Sequence, residues 1–146
     1  MNVLFVCTGN TCRSPLAEVL LLRILSENNI ENVGVQSCGL SAYPGCPASE
    51  NSAMIAPEFG FSLNFHEAKQ YDDKLADWAD MIITMSDSHK AVIDKFFEKY
   101  SSKVQVLGKG IFDPYGGDLA EYRQCAKEIE FELKKLVDGG VFCGKR

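Results

Sequence analysis

The sequence predicts an α/β domain in which the strands of a parallel sheet alternate with helices. Its 146 residues fit one hydrophobic core. Short apolar runs rich in β-branched residues, typical of strands buried on both faces, alternate with longer stretches of helical periodicity. The chain contains no internal repeat and no linker-like segment. We therefore expect one domain over residues 1–146, with right-handed crossovers between its strands.

The first strand and the first helix have the clearest predicted boundaries. Residues 3–6 (VLFV) form an apolar run, and a helical pattern extends from residue 16 to about residue 28. Ser14 suits the N-cap of this helix, and Pro15 suits its first position, where a missing N–H group costs nothing. The loop between the two elements lies at the carboxyl edge of the sheet, where such folds bind ligands.

Three further strands and four further helices are predicted along the rest of the chain. The strands cover residues 33–37, 81–85 and 104–107. The helices cover residues 48–59, 72–78, 86–100 and 119–137. In the last helix apolar residues recur every three or four positions, and Asp118 with Glu121 forms a capping-box pattern at its start. We expect residues 139–146 to be a flexible end.

The composition argues against several classes of function. The net charge of −5 disfavours nucleic acid as a partner, because phosphate backbones call for a basic face. No apolar run approaches the ~20 residues of a membrane span, and no secretory signal precedes the first strand, so a cytoplasmic protein without membrane contact is expected. The six cysteines include no C-x2-C pair, so no zinc site is predicted.

The stretch VCTGNTCRSP at residues 6–15 carries the strongest functional signal. It lies between a strand end and a helix start, where unpaired N–H groups and the helix dipole favour an anion. Gly9 and Asn10 tolerate unusual backbone angles, so the loop can curl its amides inward into a nest. Arg13 adds a planar fork that grips two oxygens of a tetrahedral oxyanion. We therefore predict a phosphate site, although the G-x4-G-K-[ST] pattern of nucleotide-binding loops is absent.

Cys7 lies at the focus of these donors, and such electropositive surroundings favour its thiolate. A thiolate facing a bound phosphoryl group is a nucleophile that can form a phosphocysteine intermediate. Arg13 and the loop amides would stabilise the transition-state charge. Asp113, which precedes Pro114 on the loop after the fourth strand, is the candidate general acid and would later activate water. This chemistry needs no metal ion or other cofactor.

These residues resemble the low-molecular-weight protein tyrosine phosphatases. The family signature is C-x5-R-[ST] near the N-terminus and Asp-Pro-aromatic near the C-terminus, matched here by Cys7, Arg13-Ser14 and Asp113-Pro114-Tyr115. Further similarity lies at Ser37-Cys38-Gly39, at His66 and at residues 80–85 (DMIITM). The similarity covers essentially the whole chain. The resemblance implies a three-layer domain, with a central four-stranded parallel sheet between helices, that hydrolyses phosphorylated protein.

The resemblance also implies roles within the site. The catalytic residues would be Cys7 as nucleophile, Arg13 as phosphate clamp and Asp113 as acid. Ser14 would hydrogen-bond the thiolate, and Ser37 and His66 would brace Asn10. Cys12 would be able to form a reversible disulfide with the nucleophile under oxidation. The residues expected at the substrate are Thr8, Gly9, Asn10, Thr11, Cys12, Ser14, Tyr43 and Tyr115.

Two positions depart from the tyrosine-specific pattern. Many of those enzymes carry an apolar β-branched residue where this chain has Thr11, and a second aromatic residue where it has Gly116-Gly117. A hydroxyl adds a polar contact to the pocket wall, whereas the lost ring removes a stacking surface for a phenol. Both features resemble the bacterial protein-arginine phosphatases, which cleave a P–N bond. Tyr43 and Tyr115 would then flank the side chain of the substrate.

Three alternatives stay open at this point. The chain could be a low-molecular-weight tyrosine phosphatase. It could be an arsenate reductase, although the thioredoxin-coupled type carries further cysteines after the third strand and residues 86–100 contain none. It could also be a non-catalytic protein that binds phosphate and senses oxidants through Cys7 and Cys12.

Overall fold

The computed structural model describes residues 1–143 and contains the predicted alternation of strands and helices. The strands are β1 (Asn2–Cys7), β2 (Gly34–Gly39), β3 (Met81–Thr84) and β4 (Val104–Val106). The helices are α1 (Arg13–Glu27), α2 (Glu50–Ile55), α3 (Asp73–Trp78), α4 (Asp87–Phe96) and α5 (Leu119–Asp138). Short 3-10 segments follow α2 and α4, at Ala56–Phe59 and Glu98–Lys103. The α/β prediction is confirmed.

The four strands form one parallel sheet in the order β2-β1-β3-β4. From β1 the chain first crosses to β2 at one edge and then returns across β1 to β3. The strand order therefore changes direction beside the carboxyl end of β1. Crossover connections diverge at such a switch point and leave a crevice there. The loop between β1 and α1 lies in this crevice.

Helices cover both faces of the sheet. Val3 and Phe5 of β1 share a buried cluster with apolar residues of α1 and α5. Leu4 and Val6 point the other way, into a cluster that includes Ala76 of α3 and residues near α4. Successive side chains of a strand alternate between faces, so a run of four apolar residues fills two layers at once. This burial on both faces anchors β1, and with it the loop that follows.

Three predicted helices have wrong boundaries. The helix predicted over residues 86–100 ends at Phe96 and is followed by the 3-10 segment Glu98–Lys103. Helix α1 begins at Arg13, with Cys12 at its N-cap and no side-chain cap, so Ser14 lies inside the helix instead of capping it. The hydroxyl of Ser14 is used at the functional site described below. The helix predicted over residues 48–59 changes from α to 3-10 geometry at Ala56. Pro57 follows at once, and a proline has no N–H group for the α-helical hydrogen-bond ladder.

The chain end is more ordered than the sequence suggested. The capping box of Asp118 and Glu121 starts α5 as predicted. Beyond that helix, Val141 N–H donates to the carbonyl of Leu136 at 3.2 Å, and Phe142 is buried in the core beneath α5. A flexible end is therefore the wrong prediction for these residues, while residues 144–146 lie outside the described part. No helix among the described residues combines the length and hydropathy that a membrane span requires.

Candidate active site

The loop between β1 and α1 curls around the side chain of Cys7. Asn10 adopts the left-handed conformation (φ 56°), which its short polar side chain tolerates. Gly39 at the end of β2 lies so close to the loop that a Cβ atom at this position would be 2.4 Å from the carbonyl oxygen of Thr8. Only glycine fits there. The same carbonyl accepts a hydrogen bond from Ser41 N–H at 2.9 Å. The turn of the loop and the close approach of β2 together fix its backbone.

Two donors hold the buried sulfur of Cys7. The Sγ atom lies 2.8 Å from the hydroxyl of Ser14 and 3.3 Å from the backbone N–H of Asn10. Ser14 is the second residue of α1 and Asn10 lies in the loop just before this helix, whose dipole also favours negative charge. Hydrogen bonds to an ionised acceptor are stronger than bonds between neutral groups. This arrangement can therefore stabilise a thiolate.

A chain of hydrogen bonds beneath the loop orients the Ser14 hydroxyl. The side-chain amide of Asn10 donates to Ser14 Oγ at 2.8 Å and to Ser37 Oγ at 2.9 Å. Ser37 in turn donates its proton to a carboxylate oxygen of Glu18 at 2.6 Å. Because Ser14 Oγ accepts from the amide, its own proton is left for Cys7 Sγ or for the carbonyl of Cys38, 3.4 Å away.

Asn10 is also held through its backbone and its amide oxygen. His66 Nε2 lies 2.7 Å from the carbonyl oxygen of Asn10, and since a carbonyl only accepts, this nitrogen carries the proton. The backbone N–H of Lys69 donates to Asn10 Oδ1 at 2.9 Å. The structure thus brings Ser37 and His66 to Asn10.

Glu18 is a site residue that the sequence reasoning missed. It lies on α1 four positions after Ser14, and residues with this spacing share a helix face. An acidic residue between the apolar residues Ala17 and Val19 was the available signal. Because a carboxylate can only accept, Glu18 sets the direction of the hydrogen bond from Ser37.

The guanidinium of Arg13 connects the loop of residues 8–12, called the phosphate loop below, to the loop of residues 108–117, called the acid loop after the role predicted for Asp113. Arg13 is buried, and its Nη1 donates to the carbonyl of Ile111 at 3.1 Å. Its Nη2 lies 3.4 Å from Asp113 Oδ2, whose side chain is 53% exposed. The other oxygen of this carboxyl accepts from the N–H of Tyr115 at 3.1 Å. The carboxyl group of Asp113 is therefore accessible to solvent and still close to the guanidinium of Arg13.

A pocket of about 220 Å³ opens between the two loops. It is lined by Cys7, Thr8, Gly9, Thr11, Cys12, Arg13, Asp113 and Tyr115. Asn10 and Ser14 are buried beneath it. Tyr43 is 80% exposed and is not among the lining residues, so its contact with substrate stays a prediction. Within residues 1–143, no group of three or more potential metal ligands is assembled.

The buried cysteines other than Cys7 lie in two environments. Cys38 and Cys125 are buried in the two cores, where burial raises the pKa of both thiols, that of Cys125 to about 12. These two are protonated at neutral pH and unsuited to nucleophilic attack. Cys12 is not bonded to Cys7, and its sulfur lies 3.3 Å from the hydroxyl of Tyr122. Burial and this contact raise the pKa of the tyrosine to about 12.

Residues 2–139 match the family model of the low molecular weight phosphotyrosine protein phosphatases. The chain belongs to this family. It is therefore a cysteine-based phosphatase of the class that acts without a metal ion, as predicted, and the reductase and non-catalytic alternatives gain no support.

Relatives and solved structures agree with this membership. The chain is 35% identical to a protein-arginine-phosphatase of Bacillus subtilis, over 94% of this chain and 95% of the relative. It is 36% identical to the low molecular weight protein-tyrosine-phosphatase PtpB of Staphylococcus aureus, over 94% and 98%. The fold superposes with a TM-score of 0.91, at 34% identity and 97% and 96% coverage, on the arginine phosphatase YwlE in a cysteine-to-serine form with a phosphorylated active-site serine.

Proposed function

We propose that this phosphatase removes the phosphoryl group from phosphoarginine in proteins through a phosphocysteine on Cys7. The observation that carries the proposal is the pocket in which Cys7, Arg13 and Asp113 face one another. The named arginine phosphatases that the chain resembles support this substrate, and the phosphorylated active-site serine of the YwlE variant supports phosphoryl transfer to the side chain at this position.

The proposed first step transfers the phosphoryl group to sulfur. The Cys7 thiolate attacks phosphorus, the P–N bond breaks, and protonated Asp113 gives its proton to the departing guanidino nitrogen. Arg13 and the loop amides hold the equatorial oxygens while their charge is redistributed. The Ser14 hydroxyl, directed by Asn10, stabilises the thiolate before attack.

The proposed second step hydrolyses the intermediate. Asp113, now a carboxylate, takes a proton from water as the water oxygen attacks phosphorus and the S–P bond breaks. Phosphate leaves, and both the thiolate and the protonated acid are restored. The exposed position of Asp113 gives water the access that this step requires. The same donors would hold inorganic phosphate as product.

Thr11 and the loop after Tyr115 favour arginine over tyrosine as the substrate residue. Thr11 lines the pocket, so its hydroxyl can accept from a guanidino N–H group, whereas a phenol ring offers no such donor. Tyr115 is followed by Gly116-Gly117, which supply no second ring for stacking on a phenol. Tyrosine phosphatase activity is the second candidate, and the identity with the tyrosine phosphatase PtpB favours it.

The experiment that separates them compares kcat/KM for one peptide carrying either phosphoarginine or phosphotyrosine. We expect the phosphoarginine form to be preferred, and Thr11→Ile to move the ratio toward phosphotyrosine. Thr11→Ser, which keeps the hydroxyl, is the matched control and should retain the preference. A preference of the wild type for phosphotyrosine would reject the arginine assignment. The expectations of a cytoplasmic location and of no nucleic-acid or membrane partner stay predictions.

A further inference from the structure

His89 is a buried histidine to which the sequence reasoning gave no role. It is the third residue of α4 and is only 5% exposed. Its Nε2 lies 2.9 Å from the hydroxyl oxygen of Thr8, and its Nδ1 lies 2.9 Å from the hydroxyl oxygen of Ser86. Ser86 is the N-cap of α4 and also accepts from the backbone N–H of His89. The imidazole therefore bridges a fixed helix start and the phosphate loop.

The imidazole of His89 is uncharged at neutral pH. Burial first, and the nearby Arg13 guanidinium second, lower the pKa of His89 to about 4, against an opposing effect of Asp113. A neutral imidazole has one donor and one acceptor nitrogen, and each faces a hydroxyl here. Because a hydroxyl can donate or accept, both bonds are satisfied together. His89 thus holds the loop without adding a second cation beside Arg13.

Thr8 is the loop residue that this bridge controls. It directly follows Cys7 and lines the phosphate pocket. The carbonyl oxygen of Thr8 is held from the side of β2, where Ser41 N–H donates to it and Gly39 lies close to it. His89 holds the side chain of Thr8 from the other side of β1, because α4 follows β3 and β2 and β3 flank β1 in the sheet. An exposed threonine without such a bond can populate more than one χ1 rotamer.

We propose that His89 is a positioning residue of this phosphatase, which acts through the Thr8 hydroxyl to fix the pocket wall beside Cys7. The side chain of Thr8 is locked to the N-terminus of α4, so the first loop residue keeps one orientation as the phosphoryl group enters. Since the phosphoryl group is common to every substrate of the enzyme, this role is independent of the choice between phosphoarginine and phosphotyrosine.

A double-mutant cycle on a small aryl phosphate tests the proposal. Thr8→Val removes the hydroxyl at nearly constant shape, and His89→Leu removes both ring nitrogens but stays apolar and buried. One lost hydrogen bond corresponds to a loss of about fivefold in kcat/KM. We expect each single variant to lose about this much, and the double variant to lose no more than the worse single variant. Additive losses, or an unchanged kcat/KM in Thr8→Val, would overturn the proposal.

Two conservative variants and one control separate positioning from general destabilisation. His89→Gln and Thr8→Ser keep a hydrogen-bonding group and should recover most of the lost kcat/KM. Tyr100→Phe removes a buried hydroxyl that bonds Asp77 at 2.7 Å, away from the loop. It should lower the unfolding temperature and leave kcat/KM unchanged. If Tyr100→Phe lowers kcat/KM as much as His89→Leu does, the effect is one of stability and the proposal is wrong.

Nitrogen-15 NMR of the imidazole gives a readout that does not need the His89 variant to fold. Replacing the Thr8 hydroxyl should shift the Nε2 resonance of His89, because that nitrogen loses its partner. The Nδ1 resonance, whose partner is Ser86, should move much less. An unshifted Nε2 resonance in Thr8→Val would show that the two side chains are not bonded in solution, and would overturn the proposal.

Discussion

The base of the pocket and the acid loop serve one reaction but are built in opposite ways. At the base, the Asn10 amide uses both of its donors and its oxygen, and Ser14 and Ser37 are fully buried. On the acid loop, the Asp113 side chain is 53% exposed and Tyr115 is 80% exposed. One region is a satisfied polar network, and the other faces water.

The difference follows from what each region does in the proposed reaction. Negative charge shifts among the phosphoryl oxygens and sulfur at the base, where fixed donors are most effective because they need no reorganisation. The acid must exchange a proton with a departing group and then with water, so it has to be accessible. We therefore expect substitutions in the network beneath the pocket to lower both stability and turnover, and substitutions on the acid loop to lower turnover alone.

Cys7→Ser is expected to have the largest effect on turnover. A serine hydroxyl at this position is a far weaker nucleophile than a thiolate, so kcat should fall by at least about 10⁴-fold. Residual attack would leave a phosphoserine that hydrolyses slowly, which intact-protein mass spectrometry would detect as one added phosphoryl group. Binding of inorganic phosphate, followed by calorimetry, should persist because Arg13 and the loop amides remain. Full turnover in this variant would exclude covalent catalysis at Cys7.

Asp113→Asn should have the next largest effect. Loss of general acid catalysis lowers kcat by about 10² to 10⁴-fold. The loss should be smaller for a substrate whose leaving group needs no proton, such as a nitrophenolate. Because the contact of Asp113 with Arg13 is partly exposed, the free energy of unfolding should change by less than about 1 kcal/mol. Pre-steady-state kinetics with a phosphoarginine peptide and with a nitrophenyl phosphate would measure how the loss depends on the leaving group.

The matched control for that variant is Asp118→Asn. Asp118 lies just beyond the acid loop and caps α5, and asparagine caps a helix as well as aspartate does. Its kcat should equal that of the wild type. An equal loss in both variants would mean that the charge of the region matters, and that Asp113 has no specific role as acid.

The sequence predicted the contents of the site better than its connections. The β1-loop-α1 unit is local, so Cys7, Gly9, Asn10 and Arg13 could be assigned from their order and chemistry alone. Among the distant partners of Asn10, Ser37 and His66 were indicated only by the resemblance, and Lys69 was not predicted at all. Propensity also suggested a wrong role for Ser14. A serine before a proline favours an N-cap, but here its hydroxyl bonds the sulfur of Cys7 instead.

Residues that act through others carried a weaker signal. Glu18 and His89 lie on helices among residues whose pattern is explained by packing, and neither belongs to a motif. Their partners, Ser37 and Thr8, are 19 and 81 positions away along the chain. Such contacts depend on the register of β2 against β1 and on the placement of α4, which single-sequence reasoning does not supply.

Asn10→Gly tests whether the hydrogen-bond network beneath the pocket supports both stability and turnover. Glycine tolerates the left-handed backbone of residue 10, so the variant removes only the side-chain bonds to Ser14, Ser37 and Lys69. At about 1 kcal/mol for each bond, the free energy of unfolding should fall by about 3 kcal/mol. We expect kcat to fall by about tenfold or more, since the Ser14 proton is no longer directed to sulfur.

Asn29→Gly is the control for backbone conformation. Asn29 is exposed and also left-handed (φ 54°), so the same substitution there meets the same backbone requirement without the network. Urea unfolding and steady-state kinetics should give wild-type values within about 0.5 kcal/mol for this control. If Asn10→Gly lowered only kcat, or only the free energy of unfolding, the network would not support stability and turnover together.

Glu18→Ala should have the smallest effect, because it acts at the far end of the network. Without the carboxylate, the Ser37 hydroxyl is free to rotate and can compete with Asn10 as a donor. We expect a loss of about 1 kcal/mol in the free energy of unfolding and about threefold in kcat, with KM unchanged. Glu27→Ala, on the same helix with an exposed side chain that pairs with Arg23, should change neither. If Glu18→Ala loses stability at wild-type kcat, the network ends functionally at Ser37, and Glu18 contributes to folding alone.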